Sequence, residues 1–417
     1  MSSHKRFYIN TIWQYGLQLV KYILPLLTLP YLTRVLEPDG YAVYAYVLSF
    51  MAFAQTVVDF GFNLSGTKQI AASRNVDQTN RVVGSIMQAR LLLCAVAGAG
   101  CAAIGWFVPI IHDNAEYAIL AYIAVCGRSL APDFLFQGKE NMRPITTRYF
   151  ASKGTSTALT FVFVQSAADL LWVPILDIVA SAIALTWSFA SAHKLFGSGI
   201  AWVSLRETFW EMKESGYYFV SNMASTIFSG FTTLLIGIVI TDSIQISYWS
   251  LAMTAVGAVQ SLFSPIISSL YPHMVVSGDF AFAKRLARVS IPFVVVGTIG
   301  FALFSDVIVA VLGGYQYADG IYVFKLVSPI IFFSFYGMFF GWPVLGAAGQ
   351  VKEIMQTTIW SSVFSVAALL SITALGIASV ATFAVVRSLA EALMCVLRLN
   401  ECRKHFPASR TERRTDD

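Results

Sequence analysis

The sequence predicts an all-α polytopic membrane protein with about 12 transmembrane helices and both termini in the cytoplasm. Three observations support this prediction: the apolar composition, the length of the apolar segments, and the uneven distribution of basic residues between them. The chain has 417 residues, of which 57% are hydrophobic and 12% are charged. An average soluble domain is about 45–50% apolar and about 25% charged. This chain therefore has too little polar surface for a soluble protein.

The apolar segments are each long enough to cross a bilayer as a helix. Only helices and closed barrels satisfy backbone hydrogen bonds in lipid, and these continuous apolar runs lack the alternation of barrel strands. The predicted spans are residues 11–33, 41–64, 82–108, 115–137, 147–166, 172–192, 217–240, 246–270, 290–308, 321–343, 355–375 and 379–398.

The basic residues predict the orientation of these spans. Of the 28 Lys and Arg residues, twenty-one lie in the termini, in the loops and at the span edges of one side, and only Arg34 lies on the opposite side. The positive-inside rule places the richer side in the cytoplasm. The same asymmetry accounts for the net charge of +5 without a nucleic-acid partner.

The longest polar gap divides the spans into two sets of six. The predicted parts are an N-terminal six-helix lobe (1–192), a cytoplasmic linker (193–216), a C-terminal six-helix lobe (217–399) and a basic cytoplasmic tail (400–417). Within the linker, Trp202, Leu205, Phe209 and Met212 recur at helical spacing. This pattern is typical of an amphipathic helix in the headgroup layer, although a plain connector fits equally well.

Six basic residues fall inside the predicted spans, where a central charge costs about 2.5–3.5 kcal/mol or more. They are Lys21, Arg90, Arg128, Lys153, Lys325 and Arg387. Lys21 lies about 15 Å into its span, which favours a cavity-lining role over an internal ion pair. For Arg90 and Arg128 the two roles stay open. The other three lie where they can snorkel to a span end or, for Arg387, pair with Glu391 one helical turn later.

Acidic residues in or beside the same spans can neutralise these cations. They are Asp59, Asp133, Asp177, Asp306 and Glu391. Charge pairing is the favoured role for any one of them, and binding of a coupling proton or sodium ion is the alternative.

A set of intramembrane Lys and Arg residues without a metal-binding motif indicates an anionic ligand. In a membrane-embedded cavity, the natural candidate is a lipid-linked phosphate or pyrophosphate. We therefore predict that a set of these cations binds such a headgroup, with neither a metal ion nor a cofactor. The predicted set is Lys21, Arg90, Arg128, Lys153 and Arg387.

Four short stretches resemble motifs of polysaccharide flippases of the Wzx type. In the third stretch, Phe134 stands where the family often has Trp. The likeness spans nearly the whole chain and is more specific in its first half. The stretches are LTRVLEPDGYAVYAY (32–46), VDFGFNLSGTK (58–68), PDFLFQGKENM (132–142) and LGGYQYADG (312–320).

The resemblance implies the multidrug/oligosaccharidyl-lipid/polysaccharide (MOP) exporter superfamily, whose members have twelve helices in two six-helix lobes, as in MATE transporters, and are not enzymes. Flippases of this type move undecaprenyl-pyrophosphate-linked repeat units, commonly of O-antigen, between leaflets of the bacterial inner membrane, from the cytoplasmic to the periplasmic side, by alternating access. The implied partners are this lipid-linked oligosaccharide, membrane lipids, a polysaccharide polymerase and a chain-length regulator.

Two alternatives stay open at this point. A multidrug or cation antiporter of the same superfamily would expose acids to cationic drugs, and the excess of intramembrane cations argues against it. A membrane polysaccharide polymerase, which is an enzyme, would carry a large periplasmic loop. The longest outer loop, near 309–320, is too short for one.

Overall fold

The computed structural model describes residues 3–405, with side chains described from residue 12 onward except at positions 22, 221, 265, 268, 269, 272, 276 and 277. Within these residues the chain is helical and has no β-strand. It divides into two compact units, Met1–Thr226 and Ile227–Asp417. The predicted all-α class is confirmed.

The first unit contains a series of helices that ends in the first part of α10, whose residues belong to both units. A short 3-10 turn, Ala167–Asp169, separates α8 from α9. The helices are α1 (Ser3–Val35), α2 (Glu37–Asp59), α3 (Phe62–Ala72), α4 (Val76–Phe107), α5 (Pro109–His112), α6 (Ala115–Ser129), α7 (Asp133–Gly138), α8 (Arg143–Phe163), α9 (Trp172–Phe196) and α10 (Leu205–Val239).

The second unit continues from α10 to the end of the described chain. A 3-10 segment, Tyr315–Gly320, precedes α14, and a π-helical segment, Phe340–Gly346, follows α15. The remaining helices are α11 (Ser243–Ser277), α12 (Phe280–Leu303), α13 (Ser305–Leu312), α14 (Ile321–Val327), α15 (Pro329–Phe339), α16 (Val351–Ala374) and α17 (Val380–His405).

All of the predicted spans fall mainly on helical residues. Nine segments of the described chain are long and apolar enough to cross a membrane: Glu37–Ala72, Val76–Phe107, Ala115–Gly138, Ala167–Phe196, Asn222–Val239, Phe280–Leu303, Pro329–Gly346, Val351–Ala374 and Val380–His405. The other predicted spans fall on α1, α8 and α11. A total of twelve crossings and two cytoplasmic termini stay predictions.

The structure differs from the sequence interpretation at the edges of the two lobes. Residues 205–216, predicted as part of a linker, are the first three turns of α10, which continues without a break into the predicted span 217–240. Only residues 197–204 form a non-helical connector. The predicted tail, 400–417, begins inside α17, and its residues beyond 405 lie outside the described part of the chain.

Two helix breaks in the first unit place polar groups inside the protein. At the first break, Phe60 and Gly61 adopt positive φ values of 41° and 79°, which end α2 after Asp59. A larger residue at Gly61 would also collide with Tyr218, since its Cβ would lie 2.5 Å from the Cβ of that tyrosine. At the second break, α6 ends at Ser129 and Pro132 precedes α7, so the helical pattern of hydrogen bonds is interrupted.

A third break in the second unit lies at Pro343. The backbone there changes from α to π geometry, and Gly341 has a non-helical ψ of −113°. Arg398 of α17 stabilises this region, because its Nη1 donates to the carbonyl oxygen of Gly337 at 2.6 Å and its Nη2 donates to Thr358 at 2.9 Å. The sequence interpretation counts Arg398 among the basic residues of the loops and span edges on the cytoplasmic side, and in the structure its side chain is buried between helices.

Candidate anion-binding site

Lys21, in α1, is an exposed cation in the first unit. Its Nζ lies 5.6 Å from the centre of the Tyr149 ring on α8, a distance at which the ring attracts the ammonium. Among the described residues, no carboxylate lies within ion-pair distance of Lys21. Its charge is thus available to a ligand.

Arg128, at the end of α6, is another predicted site cation that is exposed and has no carboxylate within ion-pair distance among the described residues. It lies within electrostatic range of Tyr149, the residue that Lys21 contacts, and of Asp59. We call Lys21, Arg128 and Tyr149 the Tyr149 cluster. One of its two predicted site cations, Lys21, lies at the Tyr149 ring, and the other, Arg128, lies within electrostatic range of that side chain.

Lys153 is partly exposed and paired. Its Nζ donates to Oδ1 of Asp177 at 2.6 Å, and Ser156 donates to the same oxygen at 3.2 Å. The two charged side chains keep 31% and 28% of their surface exposed. Unlike Lys21 and Arg128, Lys153 therefore already has a carboxylate partner within the protein.

Arg90, by contrast, is enclosed, with only 1% of its side chain exposed. Nη1 donates to the carbonyl oxygen of Ala131 at 3.0 Å, and Nη2 donates to Asn63 at 3.2 Å and lies 3.6 Å from Asp59. The guanidinium also lies 5.5 Å from the Phe134 ring centre. Arg90 therefore joins the two helix breaks of the first unit.

Arg148 holds α7 to α8 and α9. Its two terminal nitrogens donate to the two oxygens of Asp133 at 2.6 and 3.1 Å, and Nη1 also donates to Ser188 at 2.7 Å. The sequence interpretation counts Arg148 among the basic residues of the loops and span edges on the cytoplasmic side, and in the structure its side chain is 7% exposed and enclosed by helices. Only its distance from the predicted span end, one residue, could have signalled this.

In the second unit, Arg387 and Glu391 form the local pair that their spacing allows. Nη2 of Arg387 donates to Oε1 of Glu391 at 2.7 Å, and both side chains are 4% exposed. The guanidinium also lies 4.5 Å from the ring centre of Phe228. A lipid headgroup cannot reach a cation that is enclosed in this way.

Four of the acids predicted for ion coupling or charge pairing lie beside cations. Asp59, Asp133, Asp177 and Glu391 contact Arg90, Arg148, Lys153 and Arg387, respectively. The pairs leave the Tyr149 cluster as the place in the first unit where predicted site cations are both exposed and unpaired within the described chain.

Comparison with known sequences identifies the family. The model of the family described as "Polysaccharide biosynthesis protein" matches residues 8–277. An Escherichia coli (strain K12) protein named "Putative O-antigen transporter" is 24% identical over 376 residues, covering 88% of this chain and 90% of that protein. A Shigella dysenteriae protein of the same name is 23% identical over 305 residues, covering 71% of this chain and 75% of that protein.

Solved structures show the same fold. A multidrug resistance MATE family transporter of the MOP superfamily, in its inward-facing conformation, superposes with a TM-score of 0.74 at 12% identity, covering 96% of this chain and 99% of that one. The lipid II flippase MurJ, in an inward closed conformation, also gives 0.74, at 11% identity over 96% of this chain and 88% of that one. These relatives and neighbours are transporters rather than enzymes. The chain is a multi-pass membrane protein that belongs to the polysaccharide biosynthesis protein family and has the fold of MOP-superfamily transporters.

Proposed function

We propose that this protein is a flippase for undecaprenyl-pyrophosphate-linked repeat units of O-antigen or a related polysaccharide. It would move them from the cytoplasmic to the periplasmic leaflet of the bacterial inner membrane by alternating access. The observation that carries the proposal is the Tyr149 cluster, in which Lys21 and Arg128 lie exposed and without a carboxylate partner in the described chain. The membrane anion that two such cations suit is a lipid-linked pyrophosphate.

The proposed roles of the basic residues follow from how exposed or buried each side chain is. Lys21 and Arg128 contact the pyrophosphate, Arg128 through the planar fork that suits phosphate oxygens and Lys21 as a point charge. Tyr149 offers an aromatic face to the sugar next to the phosphate. Lys153 would also contact the pyrophosphate by breaking its ion pair with Asp177, because both side chains of that pair are partly exposed.

The enclosed arginines have a different role in this proposal. Arg90 and Arg387 are included with the headgroup cations from sequence. Arg90 holds helices together through Asp59, whereas Arg387 pairs with Glu391 of its own helix and lies against Phe228 of α10. Binding by a few separated cations also suits a transporter, because a ligand held by every cation at once would leave slowly. A polymerase and a chain-length regulator are proposed to act on the delivered unit.

A multidrug antiporter is the competing function, since a transporter of that type shares the fold. A cationic drug needs an accessible acid, and four of the intramembrane acids, Asp59, Asp133, Asp177 and Glu391, are neutralised by arginine or lysine. This charge balance favours an anionic substrate.

The test is complementation of a deletion strain with Lys21→Ala, Arg128→Ala and the double variant. Because a charge-assisted contact is worth about 1.5–3 kcal/mol, each single variant should lower surface polysaccharide by about tenfold or more at matched protein level. The lipid-linked unit should accumulate in the cytoplasmic leaflet. Lys21→Arg, which keeps the charge, should retain partial export.

Lys325→Ala is the matched control, because Lys325 is also an exposed cation of a predicted span. It should export like the wild type. Normal export by the Lys21 and Arg128 double variant would refute the site. Repeat units that reach the periplasmic leaflet in the deletion strain would refute the flippase function itself.

A further inference from the structure

A cavity of about 610 Å³ lies in the first unit, beside the start of α10 and away from the Tyr149 cluster. Its walls come from α3, α4 and the first three turns of α10. Three exposed cations, Arg81, Arg206 and Lys213, line it together with two exposed aromatic side chains, Phe209 and Trp210. We call it the α4–α10 cavity.

The connector before α10 is fixed against α4, so this cavity has a defined shape. Asn80, Gly84 and Gln88 are spaced four residues apart and therefore lie on one face of α4. The Oδ1 of Asn80 accepts from Ser198 at 3.0 Å, while Gln88 exchanges two 3.1 Å hydrogen bonds with the backbone of Val203. Gly84 is needed because a Cβ there would lie 1.8 Å from a carbonyl oxygen of the connector.

The two acids that line the cavity form hydrogen bonds with neutral partners, and Glu211 is buried whereas Glu207 is exposed. Glu211 is 4% exposed and accepts a hydrogen bond from Gln69 at 2.8 Å. Glu207 accepts from the hydroxyl of Ser204 at 3.1 Å, and that hydroxyl in turn accepts from the backbone N–H of Glu207, which caps the start of α10. These contacts account for both carboxylates through neutral partners.

The cations of the cavity have no such partners. Across the described part of the chain, Arg81, Arg206 and Lys213 form no ion pair. Ser85 also lines the cavity. Its side chain is only 6% exposed, and among the described residues its buried hydroxyl has no hydrogen-bond partner. A buried polar group without a partner is costly, and here it borders a space large enough for a small ligand.

We infer that the α4–α10 cavity binds the headgroup of an anionic phospholipid from the cytoplasmic leaflet. Three unpaired cations complement a phosphate, and basic pockets between transmembrane helices on the cytoplasmic side suit such headgroups. The lining cations belong to the side that the charge asymmetry places in the cytoplasm. Trp210, which is 59% exposed, suits the headgroup level, where Trp and Tyr are enriched, and Phe209, which is 57% exposed, suits the adjoining apolar layer.

This lipid would dock the start of α10 to α4 and α3 at the membrane surface. It shares no residue with the Tyr149 cluster, so it is bound independently of the transported substrate. The inference therefore stands or falls separately from the proposed function.

The test measures phospholipid retained by the purified full-length protein, using native mass spectrometry with phosphatidylglycerol or phosphatidylcholine added to the detergent. The wild type should prefer phosphatidylglycerol. Arg81→Gln combined with Arg206→Gln and Lys213→Gln should lower its retention by about tenfold or more. Ser85→Ala should lower retention with no loss of thermal stability, which keeps the test usable if the triple variant does not fold.

The matched control removes three exposed cations from the start of α12, on the same predicted side: Lys284→Gln, Arg285→Gln and Arg288→Gln. It should keep the preference for phosphatidylglycerol. An equal loss in this control would show a non-specific surface effect, and full retention by the α4–α10 variants would place the lipid elsewhere. Displacement of the lipid by millimolar inorganic phosphate would assign the cavity to a soluble anion. Any of these three results overturns the inference.

Discussion

Replacing Arg90 with Ala should lower the stability of the first unit, and it should remove no contact between the protein and its substrate. The change removes the hydrogen bonds to Ala131 and Asn63 and leaves the Asp59 carboxylate without its cation. Arg90 is 1% exposed, so its removal also leaves a cavity among the packed helices.

The expected cost follows from the geometry of the pair. Breaking a buried ion pair by removing one partner costs about 3–5 kcal/mol. Asp59 keeps 24% of its side chain exposed and lies 3.6 Å from Nη2, which favours the lower end, about 3 kcal/mol. For a unit of this size, 1 kcal/mol shifts the melting midpoint by about 2–4 °C, so the midpoint should fall by about 6–12 °C.

The assay is thermal unfolding of the purified protein in detergent, together with export per molecule of protein in the membrane. Arg90→Met combined with Asp59→Asn should regain part of the lost midpoint, because no unpaired charge is then left. Lys21→Ala should show the opposite pattern, with an unchanged midpoint and lost export. An Arg90→Ala protein that melts like the wild type but does not export would show that Arg90 contacts the substrate.

Two further predictions concern buried charges on α10 and α17. Burial raises the pKa of Glu211 in the folded protein, and the hydrogen bond from Gln69 only partly opposes this. The unfolded chain has the lower pKa, so the folded state loses stability as pH rises from the unfolded pKa through the folded one and Glu211 becomes charged. Glu211→Gln should therefore raise the melting midpoint at pH 8 and change it little near pH 4.5, and an equal effect at both would contradict this reasoning. Arg398→Lys should lower the midpoint, because one ammonium cannot reproduce the bonds to Thr358 and to the carbonyl beside the π-helical break. The exposed Arg403→Lys is its control, and equal midpoints for the two variants would exclude this role.

Apolar runs were sufficient to predict the helices, because hydrophobic length is a local property of the sequence. Every predicted span falls mainly on helical residues. The breaks were harder to predict. Nothing in the sequence around Phe60 requires a positive φ for a bulky residue, and the bend there depends on the close approach of Tyr218 at Gly61. That contact joins positions far apart in the chain, so pattern alone could not reveal it.

The same distinction between local and long-range contacts explains which ion pairs of the candidate site could be predicted from the sequence. The pairing of Arg387 with Glu391 could be expected, because residues four apart share a helix face. The pairing of Arg148 with Asp133 could not, since it depends on how α7 and α8 pack. The depth of a charged residue in a predicted span indicates that it needs a partner of opposite charge or a polar cavity. Whether that partner is a protein group or a ligand depends on tertiary contacts.

The motifs that carry the family resemblance have a physical reason. Asp59 and Asn63 belong to the stretch 58–68, while Phe134 belongs to the stretch 132–142 and follows the Ala131 carbonyl; all four residues surround Arg90. The two motifs therefore surround Arg90 of α4 in one buried junction that joins α2, α3, α4 and the break before α7. The contacts of this junction are all within the protein, so its role is to hold the helix breaks together. We propose that choice of the anion belongs instead to exposed cations outside both motifs, Lys21 and Arg128.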